Sequence, residues 1–192
     1  MYELPTTITL NDSVFTIRNK GDFRMVLDCF AAIQDISLSQ EERAIAALII
    51  FFEDMNDIED LDRLGDLKEA IHQMTIFFNC GQEEEQGYHS NYKLIDWSKD
   101  EMLVTSAINK VAGKEIRLEP YIHWWTFMGY YMAVGESSLS TVVSIRNKIA
   151  KGKKLEGYEK EFRRTNPQYF SWDMRSIQDR EFEEELRRNW SS

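Results

Sequence analysis

TITLNDSVFTIRNKGDFRMVLDCFAAI, residues 7–33, holds the change of period on which the fold reading turns. Thr7 and Thr9 alternate with Ile8 and Leu10, Asn11-Asp12-Ser13 is a cluster of turn formers, and Val14, Phe15 and Ile17 resume the run. Alternation of β-branched residues around an Asn/Asp turn is the signal of a β-hairpin. After Gly21 the apolar positions are Phe23, Val26, Leu27, Phe30 and Ile33, three or four apart. That spacing places them on one face of a helix. No other stretch of the chain reads as convincing β-structure.

Working outward, Ser39 and Glu42 have the spacing of a capping box, in which hydroxyl and carboxylate each satisfy an orphan backbone N–H. The helix behind them is apolar at Ile45, Leu48, Ile49 and Phe52, and a third stripe uses Leu61, Leu64, Ile71, Met74 and Phe78. Residues 81–91 are polar, with Glu83, Glu84 and Glu85 in a row, and are the expected linker between two halves. Ser98 and Glu101 repeat the capping-box spacing ahead of a helix through Leu103, Ala107 and Val111 that stops at Gly113. Pro120 stands as an N1 proline before residues 121–134, which are apolar on every face and are expected to form the buried centre of the second half. Leu139, Val142, Ile145 and Ile149 make a further helix interrupted at Gly152, and a last amphipathic segment runs over 173–190. The expected organisation is therefore a hairpin plus three helices over 1–80, a linker over 81–91, a second bundle over 92–165 and a C-terminal segment over 166–192.

The 192 residues are 43% hydrophobic and 29% charged, a composition that can bury a core and is too apolar for a disordered tail. A net charge of −10 disfavours nucleic acid as a partner of the whole chain. The longest mostly apolar run, residues 121–134, is too short to span a bilayer. No basic-then-apolar leader follows Met1, and Cys29 and Cys80 stand far apart with no paired ligand spacing, so a reduced chain that is not exported is expected. The charge is uneven. Residues 1–145 carry 24 acidic and 11 basic side chains, whereas residues 146–164 carry eight basic against three acidic.

Candidate chemistry is sparse. Glu69 and His72 have the Glu-x-x-His spacing of di-iron bundles, but that site needs a second copy and two more inward carboxylates, and the chain has only His72, His89 and His123. A surface or partner-facing pair is the better reading, with a metal-dependent enzyme at Glu69/His72 as a remote alternative. The acidic stretch 53–66 fails the calcium-loop pattern: counted from Asp54, position 5 is Ile58, and counted from Asp60 it is Leu64. No nucleophile elbow or phosphate loop is present, so neither enzyme, cofactor nor metal is expected. His123-Trp124-Trp125 with Phe127, Tyr130 and Tyr131 fits either a base-stacking platform or a core helix, and core is preferred in so acidic a chain. The basic run opposes the overall sign. It is either a solvated helix face or a docking surface for an acidic partner, with Arg146, Lys148, Lys151, Lys153 and Lys154 as the expected contacts.

Four segments resemble a family of tailed-bacteriophage proteins known by its founding gene product, number fifteen, from siphoviruses and prophages of Gram-positive bacteria. They are YKLIDW at 92–97 followed by Asp100-Glu101, AINKVAGKEIR at 107–117, HWWTFMGYY at 123–131 and GESSLSTVVSIRNKIAKGKKL at 135–155. Order and spacing match, and the resemblance runs over about residues 1–166. Members of that family are usually encoded between the major tail protein and the tape-measure protein. The resemblance therefore implies a tail assembly chaperone or accessory protein of long-tail morphogenesis. It would act without catalysis in the host cytoplasm, bind the tape-measure protein, with the major tail protein as a candidate second partner, and be absent from the mature virion. Self-association through the oppositely charged halves is a further expectation, and a virion component such as a tail-completion or head–tail joining protein is the alternative. The expected fold is mainly α, in two small helical sub-bundles with a short N-terminal hairpin.

Overall fold

The computed structural model describes residues 3–83 and 93–171. In chain order the elements are β1 (Thr7–Leu10), β2 (Ser13–Thr16), α1 (Phe23–Ile33), α2 (Gln40–Phe51), α3 (Leu67–Phe78), α4 (Glu101–Ala112), α5 (Trp124–Met132), α6 (Ser138–Ala150) and α7 (Gly157–Thr165), with short 3-10 turns between them. The protein is mainly helical with one antiparallel hairpin, as the sequence pattern predicts. The segment expected over 173–190 and most of the expected linker lie outside the described residues.

The hairpin closes because Asn11 and Asp12 both accept left-handed backbone, with φ of 48° and 63°. A two-residue turn needs that geometry to match the strand twist, and Asn and Asp tolerate it better than other side chains. Leu10, Phe15 and Ile17 are buried while Val14 is exposed, so one face of the ribbon joins the core. Arg18 locks it there. Its guanidinium donates to the carbonyls of Ile49, Ile50, Phe52 and Met55 at 2.8–3.1 Å, capping the C-terminal end of α2. A cation on those unpaired carbonyls is favoured both as hydrogen bond and by the helix dipole. At the other end of α2 the Ser39–Glu42 capping box forms as expected.

The chain forms two compact units. The first is Met1–Gln86 with Arg117–Met132, and the second is Gly87–Ile116 with Ala133–Ser192. This differs from a division into consecutive halves: the Trp-rich helix α5 belongs with the N-terminal elements. The reason is a set of bonds between residues about a hundred positions apart, which no local pattern reveals. Ile122 N–H donates to the Asp22 carboxylate at 2.9 Å, and Phe23 N–H donates to the Ile122 carbonyl at 2.9 Å. Phe127 then stacks on Phe23 with ring centroids 4.5 Å apart. Pro120 is not an N1 proline: it sits in a bend, His123 forms an isolated antiparallel bridge with Asp22, and α5 begins only at Trp124. The third apolar stripe is likewise two elements. A 3-10 turn at Glu59–Leu64 ends at Gly65, whose φ of 72° breaks the helix, and Asp66 caps a new start.

In the second unit the core is Leu103, Val104, Ala107 and Ile108 from α4 with Leu139, Val142 and Ile145 from α6. The expected Ser98–Glu101 box does not form. Asp96 takes that place, its carboxylate accepting from the N–H groups of Ser98 and Lys99, and Asp100 is the N-cap. Gly113 ends α4 in the left-handed conformation that the sequence predicts. Ser137 and Ser140 form a capping box for α6, and Glu156 with Glu159 forms one for α7.

Candidate partner-binding surfaces

Two adjacent tryptophans on α5 cap α3. The indole N–H groups of Trp124 and Trp125 donate to the carbonyls of Phe78 and Phe77, each at 2.9 Å, at the end of that helix, where the Phe77 carbonyl also accepts from the Cys80 N–H. Trp124 is 1% exposed and packs on Phe30 and Phe127, which makes it core as expected. Trp125 is only half-buried. Beside it Gly81 has a φ of 84°, and a β-carbon there would lie 3.0 Å from the indole, so the chain leaves α3 close against that ring.

His123 is buried and ties the start of α5 to the N-terminal segment. Its Nε2 is 3.0 Å from the Pro5 carbonyl, and its Nδ1 accepts from the Trp125 N–H at 3.1 Å. This pattern assigns the neutral tautomer with the proton on Nε2. Burial, only partly opposed by the Pro5 bond and the Asp22 charge, holds its pKa below the ordinary histidine value.

The outer side of α5 carries an open groove of about 530 Å3. Trp125, Met128, Gly129 and Met132 form one wall at helical spacing, and Phe78, Cys80 and Glu83 form the other. The groove lies wholly within the first unit, which holds 19 acidic and 7 basic residues, a net −12. Nothing in the apolar periodicity distinguished this face from core. The one available signal was Gly129, a poor helix former inside an otherwise apolar helix.

The basic run of the second unit divides into buried and exposed parts. Arg146 does not belong to a docking face. It is 0% exposed, and its guanidinium grips the Asp100 carboxylate at 2.6 and 2.8 Å while donating to the carbonyls of Leu94 and Tyr169. Its place in the apolar stripe next to Ile145 on α6 puts it inward, and a buried carboxylate makes that tolerable. Lys148 is engaged too, 2.7 Å from the buried Glu159, whose carboxyl is held below its usual range chiefly by that bond. Lys151, Lys153 and Lys154 are exposed on the turn between α6 and α7, where Gly152 takes a φ of 62°. These three are the part of the expected set that faces solvent.

Glu69 and His72 are both exposed, and Glu69 accepts from Gln73 one turn on. Among the described residues no group of three or more His, Cys, Asp and Glu side chains is placed to hold a metal ion. Within the acidic stretch 53–66, Asp57 accepts from the N–H groups of Glu59 and Asp60, Asp60 from that of Asn56, and Asp66 from that of Lys68. Both cysteines are free thiols; burial pushes Cys29 up to about 12 and raises Cys80 as well. Among the described residues no helix is long and apolar enough to cross a membrane.

The described residues form a helical scaffold in which one unit is acidic and carries a methionine-lined groove and the other carries the exposed Lys151, Lys153 and Lys154. The protein belongs to the Bacteriophage Gp15 protein family, which matches residues 1–170. No curated protein and no solved structure matches the chain.

Proposed function

We propose that this protein is a non-catalytic tail assembly chaperone of a long-tailed phage or prophage, which binds the tape-measure protein until tail-tube subunits replace it. The observation that carries this reading is the family match over residues 1–170, because members are usually encoded between the major tail and tape-measure proteins. The open groove on α5 supports it, since a tape measure is a long amphipathic helix whose apolar face needs cover before the tube closes, and helices dock in such grooves. A chaperone must also release its client, which favours a modest, polar-rimmed contact over an obligate interface. Lys151, Lys153 and Lys154 are the second contact, for an acidic partner, and another copy's first unit at net −12 has the matching sign. The chain would act in the host cytoplasm, without cofactor, metal, nucleic acid or membrane.

Particle composition tests the role against the virion-component alternative. The protein should be abundant in lysates of producing cells and absent from purified particles, while its gene remains necessary for tails. Its recovery from particles at a fixed copy number would replace the chaperone with a structural part of the tail.

A further inference from the structure

The groove on α5 has a feature that packing within the unit does not explain. Gly129 lies inside a helix, where glycine costs about 1 kcal/mol relative to alanine. Its backbone is not left-handed, and a β-carbon at this position would meet no atom within 4 Å. Neither a turn nor a close internal approach therefore calls for a missing side chain here. What the missing side chain does leave open is the groove itself. Met128 and Met132 flank the gap on the same face, and Met132 is 77% exposed. Methionine suits a surface that must adapt to varied apolar side chains, being unbranched and polarizable. Among the described residues no lysine or arginine lines the groove, Glu83 stands on its edge, and the surrounding unit is net −12.

We propose that this groove is the docking site for the apolar face of a partner α-helix whose flanks are basic, with Gly129 reserving the space for its anchor side chains. The assignment rests on the chaperone reading for the client's identity and on charge complementarity for the client's chemistry. Apolar anchors one turn apart would lie against Trp125, Met128 and Met132, and lysines or arginines beside them would face the acidic unit.

The test uses the full chain with methyl-labelled methionine and two model amphipathic peptides, one built of Leu and Lys and one of Leu and Glu. The Leu/Lys peptide should shift the Met128 and Met132 methyl resonances in a saturable way, and the Leu/Glu peptide should not. Gly129→Leu fills open space, so it should leave the melting temperature unchanged or higher while weakening the Leu/Lys peptide by about tenfold or more. Met132→Lys, at an exposed position, puts a like charge beside the peptide's lysines and gives a second blocked variant. Wild-type affinity in both variants would overturn the proposal. So would contacts from residues 84–92 to the Met132 methyl in the free protein, or methyl shifts that depend on protein concentration alone, since the occupant would then be the chain itself or a second copy. If the peptide binds here but the tape-measure protein does not bind the wild type, the chaperone reading falls and the groove assignment stands.

Discussion

Arg146→Met removes a charge from the interior of the second unit and leaves its counter-charge behind. Asp100 and Arg146 have side chains 1% and 0% exposed, and their two short bonds are joined by bonds from the same guanidinium to the carbonyls of Leu94 and Tyr169. Breaking such a pair from one side costs about 3–5 kcal/mol, because the carboxylate stays buried without its partner. Asp100→Asn should be damaging for the converse reason, although its amide oxygen still accepts from the Asp96 N–H. The double variant should lose less than the two single losses together, with a coupling of about 1–3 kcal/mol. Urea unfolding followed by circular dichroism measures the four species, and amide exchange in α4 and α6 assigns the loss to the second unit. A single Arg146→Met variant within about 0.5 kcal/mol of wild type would refute the buried pair and return Arg146 to the surface.

Trp124→Ala should cost about 3–5 kcal/mol, as expected for a buried ring that also caps α3, while Trp125→Ala should cost less; a fully stable Trp124→Ala protein would contradict the packing. Because the folded protein holds His123 below its ordinary value of 6.5, the unfolded chain takes up the proton first, and stability is lost as pH falls through about 6.5 towards that lower value. The loss approaches at most about 1.4 kcal/mol per pH unit, and denaturation at pH 7.5 and 5.5 should show a smaller difference in His123→Gln than in wild type. Replacing Lys151, Lys153 and Lys154 together by Glu should leave the melting temperature within a few degrees and abolish any salt-sensitive self-association seen in sedimentation; self-association unchanged by salt or by these substitutions would remove the basic turn as a contact.

Local signals carried far in this sequence because local physics governs those elements. Asn11-Asp12, Ser39–Glu42 and Gly113 each decide a turn, a start or a stop through bonds within four residues, and each forms as the pattern predicts. The errors share a different cause. Pro120 and Ser98 had competitors that only the folded chain supplies: a β-bridge to Asp22 in one case and the Asp96 carboxylate in the other. Arg146 looked like part of a basic face because charge counting ignores helical phase, yet its position beside Ile145 and one turn from Val142 turns it inward. The assignment of α5 to the second half failed for the plainest reason. Its partners, Phe23, Phe77 and Phe78, are distant in sequence, and an all-apolar helix does not say which core it joins. The groove was invisible for the same reason, since it exists only where α5 meets the end of α3.

The central claim is that this chain keeps a long helical client soluble. Co-expression with the tape-measure protein of the same genome tests it most directly, by soluble yield and co-purification. The account predicts that the tape-measure protein moves into the soluble fraction and elutes with this chain. A tape-measure protein that stays insoluble, with this chain eluting alone, would contradict it.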